Sequence, residues 1–190
     1  MRLRDKVALI TGAGMGMGRE AAVLFAREGA KVAVFDLDAE AGRETLRLVE
    51  AAGGAGIFVE GDAADEPAVR GAVARAEAEL GALHVLYANA GVLWKDRDKS
   101  VTETSVEDWD RVQAINLRGP FLLSKHGIPA LERAGGGSII FVGSISALAG
   151  FALAQDSYTA AKSALVGLAK SLAVQFGPAQ IRCNVIHPGM

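Results

Sequence analysis

Six short apolar runs, Val7–Ile10, Val32–Phe35, Gly56–Glu60, Val85–Ala88, Ile139–Val142 and Arg182–Ile186, recur along the 190 residues, with longer helix-patterned stretches between them. The runs are mostly continuous rather than alternating, the pattern of strands covered on both faces in a parallel sheet. Strand–helix alternation of this kind closes through right-handed crossovers, which predicts a single α/β domain over residues 1–190 with a doubly wound parallel sheet and helices on both faces. The helices announce their starts. Gly16–Arg27 gathers Ala21, Ala22, Leu24 and Phe25 on one side, Asp38–Ala51 opens on an N-cap aspartate, and Asp65-Glu66-Pro67 places proline in a first turn. Ser105-Val106-Glu107-Asp108 puts acids where a helix N-terminus favours them, and Ser157–Phe176 runs to a Gly177-Pro178 stop.

The first strand leads into Thr11-Gly12-Ala13-Gly14-Met15-Gly16-Met17-Gly18, and a helix follows. Strand, glycine turn and helix start together form a pyrophosphate cradle: the glycines let the backbone turn tightly and approach the ligand, and the helix end offers free N–H groups and a positive dipole. Glycines also serve plain turns, so it is the flanking strand and helix that give the pattern its meaning. The second strand ends at Asp36, placed to accept hydrogen bonds from ribose hydroxyls and to repel a 2′-phosphate, which favours NAD over NADP. Arg19, just past Gly18, reads as a helix-surface residue.

Composition narrows the function. Twenty Lys and Arg against 22 Asp and Glu give a net charge of −2 with no basic stripe, which argues against a nucleic-acid partner. No apolar stretch reaches the ~18 residues of a membrane span, and Met1–Lys6 leads into a run too short for a signal-peptide core. The lone Cys183 excludes an intrachain disulfide and reads as a small core residue; a cytoplasmic location is expected. His84, His126 and His187 lie far apart without acidic or cysteine partners at ligand spacing, so no metal site is expected. Lys95–Lys99 reads as a solvated loop of mixed charge, Trp94 as a pocket or loop aromatic, and Leu148–Leu153 as an apolar pocket wall.

Taken together these motifs resemble the short-chain dehydrogenase/reductase family. Gly12, Gly16 and Gly18, with Gly14, Met15 and Met17 between them, match its cofactor turn; Asn89-Ala90-Gly91 matches its Asn-Ala-Gly motif; Pro188-Gly189 matches the Pro-Gly after its sixth strand. Asp62, with Ala63 beside it, resembles the acid that contacts adenine, and Asn116, Ser144, Tyr158 and Lys162 match the catalytic tetrad. The resemblance implies a Rossmann-type fold and an NAD-dependent oxidoreductase acting on a secondary alcohol or ketone. It also implies pairing into a homodimer or homotetramer through helices within Ser105–Arg133 and Ser157–Phe176. Two departures stand out. Ser144 precedes Tyr158 by fourteen residues, one more than the family spacing, so Ser146 is a rival; Ser144 is preferred because it directly follows the fifth strand. The sequence also ends at Met190, where the family continues into a substrate-covering segment and a seventh strand, so lid and strand are expected to be absent and the sixth strand to form an edge. A reductase of 3-oxoacyl thioesters using NADPH, or a dinucleotide-binding protein without turnover, are the alternatives.

The chemistry follows from side chains. Tyr158 and Lys162, four residues apart, share a helix face. A phenol titrates near pH 10, and bringing it down by ~3 units needs about 4 kcal/mol of preferential phenolate stabilisation. A cation ~5 Å away at an effective dielectric of ~20 supplies roughly 3 kcal/mol. The Lys162 ammonium and the positive nicotinamide ring of NAD together reach that figure. Tyr158 is then expected to handle the substrate proton, Ser144 to hold the substrate oxygen, Lys162 to assist Tyr158 and, by the resemblance, bind the nicotinamide ribose, and Asn116 to hold a relay water.

Overall fold

The computed structural model describes residues 1–189. Six strands, β1 (Val7–Thr11), β2 (Lys31–Asp36), β3 (Ala55–Glu60), β4 (Val85–Ala88), β5 (Gly137–Val142) and β6 (Ile181–Ile186), form one parallel sheet in the order β3-β2-β1-β4-β5-β6. The chain runs outward through β2 and β3, then returns across the middle to place β4 against β1. That reversal between β1 and β4 is where a doubly wound sheet opens a crevice at its strand carboxyl ends.

The helices are α1 (Gly16–Arg27), α2 (Ala39–Ala51), α3 (Glu66–Leu80), α4 (Val106–Gln113), α5 (Gly119–Arg133) and α6 (Asp156–Phe176). Three of them start where their first residues dictate. The Asp38 carboxylate accepts from the Glu40 and Ala41 N–H groups, Asp65 accepts from Ala68 N–H, and the Ser105 hydroxyl accepts from Asp108 N–H. Between α4 and α5 a π-helical turn, Ala114–Arg118, interrupts the α geometry. Pro120 gives a local reason: it has no N–H to offer the Asn116 carbonyl four residues back, and the Gly119 N–H bonds to Ala114 five residues back instead.

Each strand sends alternate side chains into two cores. Leu9, Phe35, Leu86 and Phe141 pack against α3, α5 and α6, whereas Ile10, Val34 and Tyr87 pack against Ala22 and Ala26 of α1 and Val49 of α2. The exception is β6, where Ile181 and Cys183 are buried but Arg182, Asn184 and Ile186 are exposed. This strand pairs on one side only among the described residues, and one of its faces meets water rather than a helix. Cys183 is a core residue, and burial pushes its thiol up to about 12. No helix of the described residues is long and apolar enough to cross a membrane.

Candidate active site

The glycine turn is built against the carboxyl end of β4. Thr11 Oγ1 accepts hydrogen bonds from the Asn89 and Ala90 N–H groups, both at 3.1 Å, and Asn89 Nδ2 donates to the Gly12 carbonyl at 2.8 Å. Gly12 has φ +61°, and a Cβ there would lie 2.7 Å from the Ala90 Cα. A Cβ at Gly18 would collide with the Gly12 carbonyl oxygen. The turn can therefore curl under the start of α1 only because these two positions carry no side chain. Met15 stands at the N-cap of α1, and neither a capping side chain nor a first-turn acid serves the helix start. Its free N–H groups and dipole suit a phosphate, so the residues present fit the pyrophosphate of a dinucleotide.

Asp36 closes the other end of the turn. Its Oδ2 accepts from Gly14 N–H at 2.6 Å and its Oδ1 from Asp38 N–H at 2.9 Å. Arg19 departs from the surface role its sequence position suggests. Its guanidinium donates to Thr45 Oγ1 at 3.0 Å and to the Gly14 and Ala41 carbonyls, tying the turn to α2. Asp62 is likewise engaged: burial pushes its carboxyl up, but the Ala64 N–H and the Arg111 guanidinium at 2.9 Å outweigh that and hold it low. Ala63 sits beside it, its carbonyl facing Gly119.

Beyond the turn lies a pocket of about 470 Å³ where Met17, Asn89, Gly91, Asn116, Ser144, Tyr158, Lys162, Pro188 and Gly189 meet. All four tetrad residues expected from sequence line it, whereas Gly12, Gly14, Gly16, Gly18, Asp36 and Asp62 lie outside its lining. Lys162 is 3% exposed, donates to the Val142 carbonyl at 2.8 Å, and holds its ammonium 5.6 Å from the centre of the Tyr158 ring. Burial pulls its pKa down to about 8, so the charge persists at neutral pH. The half-buried Tyr158 directs no hydroxyl hydrogen bond to any described residue. Ser144 Oγ accepts from Ser146 N–H at 3.1 Å, which leaves its own hydrogen free to donate. Ser146 is also buried and lines the pocket, but its oxygen accepts from Gln155 Nε2 at 2.8 Å. Asn116 is fully buried; Oδ1 accepts from Val92 N–H, and Nδ2 donates to the Val92 and Val112 carbonyls. Its amide thus pins the segment after Gly91, with a single Oδ1 lone pair left over for a water.

A family model described as short chain dehydrogenase matches residues 6–190. The chain is a short-chain dehydrogenase. It is 41% identical over its full length to an uncharacterized oxidoreductase of Thermotoga maritima, covering 73% of that protein. It is 37% identical over 99% of its length to cyclohexanol dehydrogenase of an Acinetobacter species, covering 74%. A crystal structure of carveol dehydrogenase from Mycobacterium avium in complex with NAD superposes with a TM-score of 0.94 at 32% identity, over 98% of this chain and 71% of that one. This short-chain dehydrogenase is accordingly an oxidoreductase that acts on CH–OH groups.

Three residues that shape the site escape a reading of the sequence. His187 Nδ1 lies 2.8 Å from the Ser144 carbonyl and fixes the backbone of that serine. Gln155 bonds to Ser146 beside Phe151 and Leu153 in the pocket lining, while Leu148 of the same apolar stretch lies outside that lining. The third corrects the reading of Lys95–Lys99 as a solvated loop: Asp98 within it is fully buried. Trp94 lies outside the pocket lining and stacks under Arg97 at 4.7 Å.

Proposed function

We propose that this short-chain dehydrogenase interconverts a secondary alcohol and its ketone, with NAD preferred to NADP and Tyr158 as the general acid/base. The observation that carries the reading is the Lys162 ammonium, buried and 5.6 Å from the Tyr158 ring centre, in the same pocket as Ser144. An ammonium this near the ring attracts a phenolate oxygen more than a neutral hydroxyl, which favours transfer of the proton through Tyr158. Tyr158 takes the substrate hydroxyl proton at its phenolic oxygen during oxidation and returns it during reduction. The Ser144 hydroxyl, already accepting from Ser146, donates to the substrate oxygen and orients it. Lys162 steadies the phenolate, with Val142 holding its ammonium in place.

The cofactor, when bound, supplies the hydride acceptor and the second positive charge. The free N–H groups at the start of α1 hold its phosphates, and Lys162 holds its nicotinamide ribose. Asp36, beside Gly14 at the end of β2, accepts from the adenosine ribose hydroxyls and repels a 2′-phosphate. The lining from Val92, Leu93, Ile145, Phe151 and Leu153 suits an apolar alcohol.

Tyr158→Phe is expected to bind NAD as the native chain does, by fluorescence titration, and to lose at least about 10²–10⁴-fold in kcat with a cyclic secondary alcohol. Residual turnover within tenfold of native removes Tyr158 from the proton path. Asp36→Ala is expected to narrow the ratio of kcat/KM for NAD over NADP; an unaltered ratio removes Asp36 from cofactor choice.

A further inference from the structure

Asp98 is the one fully buried carboxylate among the described residues, and the chemistry above does not use it. It belongs to the segment joining β4 to α4, whose near end lines the substrate pocket through Val92, Leu93 and Lys95. Its two oxygens are spent on the helix that carries the general base. Oδ1 accepts from Ser157 N–H at 2.9 Å and Oδ2 from Tyr158 N–H at 2.7 Å.

Helix α6 needs that help. Gln155 stands at its N-cap without a side-chain cap bond, so the first-turn N–H groups have no local acceptor. Tyr158 is the third residue of the helix, in the turn where helices fray. An anion there is doubly favoured, by the orphan donors and by the helix dipole. The tie is reciprocal, because Asp156 Oδ2 accepts from Val101 N–H at 2.7 Å and Asp156 N–H donates to the Lys99 carbonyl at 3.2 Å. A third strand of the tie comes from α4: Gln113 Nε2 donates to the Ser157 carbonyl at 2.8 Å, and the Ser157 hydroxyl donates to the Trp109 carbonyl.

The geometry points to Asp98 as a positioning residue: it caps α6 from a distant loop, sets where the Tyr158 hydroxyl stands, and binds the substrate-lining loop and the catalytic helix into one unit. This inference rests on the proton-transfer role proposed for Tyr158. A displacement of about 1 Å in a reacting group costs up to about 10²-fold in rate. The cofactor cradle bonds only to the start of this segment, through Asn89 and Ala90; Asp98 itself makes no bond to the cradle among the described residues.

Asp98→Asn keeps the shape and one acceptor but turns an NH₂ group toward the second N–H. The test measures kcat and KM with NAD and cyclohexanol, together with amide hydrogen exchange at Ser157 and Tyr158. The expected result is a 10- to 100-fold fall in kcat, KM for NAD within threefold of native, and exchange at least tenfold faster at those two amides, with strand amides unaltered. Asp156→Ala, at the accessible rim, breaks the reciprocal half without burying a defect and is expected to show the same split between kcat and KM at smaller size. If Asp98→Asn does not fold, this variant decides. Unaltered exchange overturns the capping; faster exchange with native kcat overturns the positioning. An unsubstituted chain that turns over no alcohol overturns the oxidoreductase reading and, with it, any catalytic role for Asp98, whereas the exchange data still report the tie itself.

Discussion

Lys162, in the role proposed for it, has two opposed obligations. Its ammonium would have to stay charged to stabilise a phenolate, yet it is 3% exposed and its only hydrogen bond to a described residue is to the Val142 carbonyl. Burial lowers its pKa from 10.5 to about 8, so the folded chain releases this proton before the unfolded chain does. Below about pH 8 both states carry the charge and the fold bears the full cost of burying it. As pH rises from about 8 to 10.5 the folded form sheds the charge first and gains stability, by at most about 3 kcal/mol. Lys162→Met is therefore expected to lose this rise: the difference in unfolding free energy between native and variant should shift toward the native chain across that pH window, as read by denaturant titration. A difference independent of pH would mean that the buried ammonium is not desolvated. The same variant should be inactive, a stability gain set against function. Residues of this kind were half legible in the sequence. Tyr158 and Lys162 share a helix face as their spacing requires, but the partners that fix Ser144 and Ser146, namely His187 and Gln155, lie 43 and 9 residues away and only folding brings them near.

At the scale of elements, a helix start that owns its cap can be read from sequence, and one capped from elsewhere cannot. Asp38, Asp65 and Ser105 each cap their own helix and mark it plainly. The cap of α6 comes from Asp98, 59 and 60 residues upstream of the N–H groups it serves, and in a run of alternating charges it looks like solvent-facing loop. The π turn that carries Asn116 is hidden for a different reason: its apolar pattern continues smoothly into α5, and only the pairing of Asn116 with Pro120 hints at a break. The glycine turn was legible as a strand–turn–helix junction because its steric requirement shows in the residues themselves. Gly18→Ala is expected to abolish measurable NAD binding and to destabilise the chain by about 1–3 kcal/mol, since the new methyl meets the Gly12 carbonyl, which is held in turn by Asn89. Isothermal titration and denaturant unfolding check both parts. Native affinity in this variant would mean the turn has room that its backbone does not show.

Over the whole molecule, the parallel sheet with helices on both faces was legible from the apolar runs, and every strand lies within two residues of its expected bounds. The outer strand carries its own mark: in β6, Arg182 and Asn184 alternate with the buried Ile181 and Cys183, and Arg182, Asn184 and Ile186 face outward because no helix covers that side among the described residues. The two halves of the sheet meet at β1 and β4 through four register pairs, reinforced at the crevice by Thr11 and Asn89. On the reading proposed above, a dinucleotide held by the glycine turn on one half and Lys162 on the other would span that junction. NAD at about 100 times its dissociation constant should stabilise the native state by about 2.7 kcal/mol and raise Tm by roughly 5–10 °C. No rise in a thermal melt would show that the native state does not bind NAD. The junction is a seam that the chain stitches through Thr11 and Asn89 and that a bound dinucleotide would stitch from the other side. On that reading, how readily those four rungs part would govern the exchange of nucleotide as well as the chemistry.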